Sequence, residues 1–113
     1  MSRKREQSPL LEDIVRVIVE EARPEQVVLF GSRAKGTAQD KSDYDFLVVV
    51  HDVQNERDIS RRIYRALLEQ KVGAAVDAVV VNTGTLDRHK ESPFFVYRQA
   101  LREGKVFHDR AGV

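Results

Sequence analysis

The 113-residue sequence contains no cysteine. That absence removes disulfide frameworks, thiolate zinc sites and cysteine nucleophiles, and nothing else in the sequence points to secretion. Charge of one sign is not in excess either: 19 basic and 18 acidic residues leave a net charge of +1, so electrostatics indicates neither a nucleic-acid nor a membrane partner. No run approaches the ~18 consecutive apolar residues of a membrane span, and the basic opening MSRKREQSP lacks the apolar stretch that follows it in a signal peptide. Internal repeats, low-complexity tracts and domain linkers are also missing. A cytoplasmic location is the resulting expectation.

What is present is a 42% hydrophobic, 33% charged composition, that of a folded soluble domain rich in surface charge. Independent domains typically need ~100 to 150 residues, which leaves room here for one core and none for a separate substrate-holding domain. The expected division is a flexible basic tail over residues 1–8, one domain over residues 9–108, and a C-terminal tail over residues 109–113.

The apolar residues Leu11, Ile14, Val15, Ile18 and Ala22 recur at three- and four-residue spacing, which predicts an amphipathic helix from Pro9 to Ala22, capped by Ser8 and stopped by Pro24. Gln26 to Phe30 reads as a short buried strand. The polar segment GSRAKGTAQDKSD then reads as a loop or short helical turn. DYDFLVVV, Asp43 to Val50, runs from carboxylates into continuous apolar residues, as a central strand does when one end is open. A second amphipathic helix follows over Asn55 to Gln70, then a strand at Ala75 to Val81 interrupted by Asp77. Thr83 begins a capped turn, followed by a helix around Phe94 to Glu103 and a last strand at Lys105 to Phe107. The order predicts an α/β (α+β) fold: a small mixed sheet flanked by helices. Whether the second and third strands run parallel is left open by the pattern.

Asp43 and Asp45, two apart on a strand, project from one face. Two like charges so placed repel, and a hard cation between them relieves the repulsion, so the pair points to metal. Asp77 in an apolar strand is expected to be buried, at a cost that a metal or an adjacent base would offset. If its strand neighbours the second, an all-oxygen site results, suited to Mg2+ or Mn2+ rather than zinc. Gly31 and Ser32 follow a strand and open a turn, where backbone N–H groups and a hydroxyl can cradle phosphate. Arg33 and Lys35 are positive groups able to counter a triphosphate, and Gly36 lets the loop turn again.

His51, His89 and His108 are too scattered to be metal ligands. Phe94, Phe95, Tyr97 and Leu101 read as core packing, and Arg57, Arg61, Arg62 and Arg65 as a solvated helix face.

The segment GSRAKGTAQDKSDYDFLVVV resembles the signature of the DNA polymerase beta-like nucleotidyltransferase superfamily: glycine-serine, roughly ten residues, then two acids flanking one residue. The small size resembles its minimal nucleotidyltransferase branch, whose members often pair as antitoxins with HEPN-domain toxins. Phe30 stands where many members carry a second glycine, and Tyr44 replaces the usual aliphatic residue between the acids.

The resemblance implies a nucleotide-binding turn at Gly31, Ser32, Arg33 and Gly36, and catalytic, metal-holding roles for Asp43, Asp45 and Asp77. It implies two Mg2+ ions, with Mn2+ an alternative, and transfer of NMP, AMP from ATP or another NTP, to a hydroxyl of a partner protein such as a HEPN-domain toxin. Alternatives are a catalytically silent antitoxin that neutralises a HEPN ribonuclease by binding, and transfer to a small molecule or RNA. Homo-oligomerisation is left open.

Overall fold

The computed structural model describes residues 2–39 and 42–110, with side chains from Leu10 onward. The elements are α1 (Ser2–Ala22), β1 (Gln26–Phe30), α2 (Ser32–Lys35), β2 (Tyr44–Val50), α3 (Glu56–Glu69), β3 (Val76–Asn82), α4 (Thr83–His89), α5 (Val96–Glu103) and β4 (Lys105–Asp109). They build one four-stranded mixed sheet in the order β3-β2-β1-β4. β1 pairs antiparallel with both β2 and β4, while β2 and β3 are parallel and joined through α3. The sheet is thus the small mixed one expected of the α+β class, and the question of the second and third strands is settled as parallel.

Side chains of β2 alternate between two cores, which is why the run FLVVV is apolar without interruption. Phe46, Val48 and Val50 face α1 and α3, where they meet Ile14, Ile18 and Ile63. Leu47 and Val49 face the other way, with Val28, Phe30, Val81, Leu86 and Ala100 under the shorter α4 and α5. Helices therefore cover the first face along its length, and the second face only in part.

β1 spans the residues expected of it, and α3 differs by one residue at either end, its Asn55 side chain accepting from the N–H groups of Arg57 and Asp58. α1 starts at Ser2 rather than Pro9, so Ser8 lies within the helix and not at its cap. Arg3, Lys4, Arg5, Glu6 and Gln7 are all good helix formers, which favours that extension. The turn expected after Thr83 is the helix α4, and the last strand runs on to Asp109. Residues 111–113 of the expected C-terminal tail lie outside the described residues.

Phe94 and Phe95 are not core residues: they are 90% and 44% exposed. Only Tyr97 of that group packs against the second core, and its ring stacks on Phe95, which in turn lies against His89. α5 is short and amphipathic, so its one buried stripe is filled by Ala100 with Val96 and Tyr97 beside it, leaving no room for the preceding phenylalanines. Arg57, Arg61, Arg62 and Arg65 do lie exposed on α3.

The end of β3 away from its acid is fastened by Asn82, whose side chain accepts from Val53 N–H and donates to Val53 C=O, both at 2.8 Å. Glu56 accepts from the Asn82 backbone N–H at 2.9 Å. Asn82→Ala strands two partly buried backbone groups, so a loss of about 1–3 kcal/mol is expected. Equilibrium urea unfolding measures it.

Candidate active site

The sheet's partly covered face is open where β1 ends and β2 and β3 begin. Asp45 lies in register with Phe30 on one side and Asp77 on the other. Alternation puts Asp45 on the face of Leu47 and Val49, and Asp77 on that of Val81, so both carboxylates emerge on the partly covered face. Asp43 sits one residue ahead of β2 and is exposed.

Asp45 is the half-buried member of this group, and its surroundings oppose its charge. Burial, then the charge of Asp77, then that of Asp43 push its carboxyl above the usual carboxylate range. The two other expected acids are thus close enough for their charge to act on Asp45. Asp77 departs from expectation in one respect: it is exposed, not buried. β3 is an outer strand that begins at Val76, so its second residue reaches solvent, and the burial penalty assigned to Asp77 falls on Asp45 instead.

Gly31, immediately after β1, has φ 76° and ψ −157°, a conformation essentially restricted to glycine. A Cβ there would come within 2.5 Å of Asp45 Oδ2. The turn backbone and the central carboxylate are therefore packed face to face, which only a residue without a side chain allows. Ser32 opens the one-turn helix α2, and Gly31 C=O accepts from the N–H groups of Ala34 and Lys35. Gly36 ends α2 in the left-handed region, φ 79°, with nothing within 4 Å of where a Cβ would stand. Its role is to turn the chain, whereas that of Gly31 is also close approach.

Arg33 donates to the Ser42 carbonyl from Nε (3.3 Å) and Nη2 (2.9 Å), and its guanidinium lies 4.1 Å from the centre of the Tyr44 ring. Lys35 lies 3.3 Å from Glu103 of α5, both about half exposed. Neither the Ser42 carbonyl nor the Tyr44 ring was singled out by motif spacing; the only sequence signal was the aromatic residue standing between the two acids.

The histidines have separate surroundings: His51 Nδ1 is 3.1 Å from Thr83 Oγ1, His89 packs on Phe95, and His108 lies in β4. Among the described residues no group of three acidic, histidine or cysteine side chains is gathered tightly enough to hold a metal ion unaided. What the site offers is a set of carboxylate oxygens around one half-buried aspartate, beside a glycine turn at the end of a strand.

A model of the polymerase beta nucleotidyltransferase family matches residues 12–111. The chain belongs to that family. A candidate nucleotidyltransferase from Sulfolobus solfataricus shares its fold with a TM-score of 0.61 and 26% identity, over 92% of this chain and 81% of that one. A toxin–antitoxin structure with AMP-PNP superposes with a TM-score of 0.53 at 21% identity, over 87% of this chain and 73% of that one. Comparison with curated proteins gives no significant match. Among the described residues no helix is long and apolar enough to cross a membrane.

Proposed function

We propose that this nucleotidyltransferase moves AMP from ATP to a hydroxyl of a partner protein, with Mg2+ as the metal, and that the partner is a HEPN-domain toxin. The observation that carries the catalytic part is the placement of Asp45 between Asp77 and the Gly31 turn, with Asp43 close enough for its charge to be felt. The toxin–antitoxin neighbour with AMP-PNP supports a nucleotide and a protein partner.

An all-oxygen donor set suits Mg2+, and the lack of a ready-made cage fits an ion that binds through one or two carboxylates together with substrate phosphates. Asp43 and Asp45 would hold it, with Asp77 able to complete its shell. Bound there, the metal would neutralise triphosphate charge and lower the acceptor's pKa.

The chain's own groups do the rest. Ser32 and the backbone of the Gly31 turn orient the phosphates. The exposed Asp77 carboxylate takes the proton as the acceptor oxygen bonds to the α-phosphorus and the bond to pyrophosphate breaks. The product is a phosphodiester on the acceptor, with pyrophosphate released.

Incubating the protein with Mg2+, α-labelled ATP and the product of the adjacent gene tests this reading. Label on the partner is expected, reduced at least about tenfold in Asp43→Ala. A stable complex that never takes label would instead identify an antitoxin that neutralises by binding alone.

A further inference from the structure

Arg33 brackets one of the acids. Its guanidinium grips the Ser42 carbonyl with two N–H groups and covers the Tyr44 ring, so it engages the residues immediately before and after Asp43. Arg33 itself sits in α2, directly after the Gly31-Ser32 turn. One side chain thus ties the phosphate-turn helix to the chain segment that carries Asp43.

Asp43 needs such a tie. It precedes β2, so no sheet pairing fixes its backbone, and it is exposed, so packing does not fix it either. Tyr44 borders an open hollow of about 390 Å3 lined also by Leu10, Ser42, Gly73 and Ala74, so surrounding side chains leave one side of it free. Ser42 is held in turn by Gln39, which donates its N–H to Ser42 Oγ at 2.8 Å and accepts from the Ser42 N–H at 3.0 Å. Guanidinium over an aromatic face, with a forked grip on a carbonyl, is geometry that lysine does not reproduce.

We infer that Arg33 is a positioning residue that sets Asp43 for metal binding by clamping residues 42 and 44, rather than a ligand of the triphosphate. The inference rests on the metal-dependent reading above and deepens it. Tyr44, in place of an aliphatic residue between the acids, is the other half of the clamp. Its ring faces away from the carboxylates and acts on them only through the backbone.

The test separates metal affinity from nucleotide affinity. Mn2+ binding is read by loss of the free-ion electron paramagnetic resonance signal without nucleotide, and nucleotide binding by the fluorescence of a methylanthraniloyl-ATP analogue in EDTA. Arg33→Gln and Tyr44→Leu are each expected to weaken Mn2+ binding about tenfold, as removal of groups that orient metal ligands commonly does, and to leave metal-free nucleotide binding within about twofold. Arg33→Lys should recover little, Tyr44→Phe nearly all, and the double variant should lose no more than the worse single one.

Loss of metal-free nucleotide binding in Arg33→Gln, with Tyr44→Leu unchanged in both assays, would make Arg33 a phosphate ligand and overturn the inference. If Arg33→Gln does not fold, Tyr44→Leu against Tyr44→Phe decides it alone. Parent protein that binds neither Mn2+ nor the analogue, whether offered separately or together, would remove the metal-dependent reading and this inference together, whereas a binding parent with unaffected variants removes only the clamp.

Discussion

Asp45→Asn is expected to lose nucleotide transfer by at least about a hundredfold and, at the same time, to melt higher than the parent when both are free of metal. The loss follows because Asp45 is the carboxylate to which the rest of the site is referred: Asp77 beside it, Asp43 within reach of its charge, and the Gly31 turn against its Oδ2. Stabilisation of transferring phosphate by metal and charge is worth several kcal/mol, and each 1.36 kcal/mol is about tenfold in rate. The gain in melting temperature follows from the same crowding. Burial and two neighbouring acids raise the Asp45 carboxyl above its ordinary range.

A carboxyl raised in the folded state contributes stability that is complete below the unfolded value and lost as pH climbs through the folded one. At neutral pH the ionised group therefore opposes folding, and the neutral amide removes that opposition. The melting difference between variant and parent should shrink as pH falls toward about 4, where the parent carboxyl also becomes neutral. Calorimetry in EDTA, then in Mg2+, reads both terms, and a variant that melts lower than the parent in EDTA would show that a favourable contact holds the carboxylate.

That tension between function and stability is only partly legible in the sequence. The acids and the Gly-Ser turn stand out because their residue types are out of place in apolar strands and their spacing repeats a known signature. Which acid bears the burial was not legible, since it depends on sheet order: β3 is an outer strand and begins at Val76, so Asp77 meets solvent and central Asp45 does not. Parallel pairing of β2 and β3 is a property of the packed α3 crossover, not of either strand's own pattern.

α4 is not legible in the sequence for a related reason. TGTLDRH has one buried residue, Leu86, and a helix of seven residues draws its stability from that docking, not from periodicity. The exposed Phe94 and Phe95 show the converse. Hydrophobicity put them inside, but the elements on either side left no unfilled core to receive them.

Gly31→Ala is the second large effect. Two costs add at this position: the backbone conformation, φ 76° and ψ −157°, and the approach of the new Cβ to within 2.5 Å of Asp45 Oδ2. The conformational cost alone is about 1–3 kcal/mol. The contact is relieved only if Asp45 swings aside or the turn opens, and either displaces the carboxylate to which the proposed reaction is assigned, so transfer should fall by about a hundredfold or more even in molecules that stay folded. Gly36→Ala is the control. It shares a positive φ, 79°, but faces open space, so about 1–2 kcal/mol of strain is expected with transfer close to that of the parent.

The two costs at Gly31 separate in a double-mutant cycle. Asp45→Ala leaves only a Cβ, which stands 3.6 Å from the position of the added methyl, an ordinary contact. In that background Gly31→Ala should destabilise by the strain term alone, less than it does in the parent. Equal costs in both backgrounds would mean that the turn and the carboxylate do not touch, and would separate the phosphate turn from the acids as parts of one site.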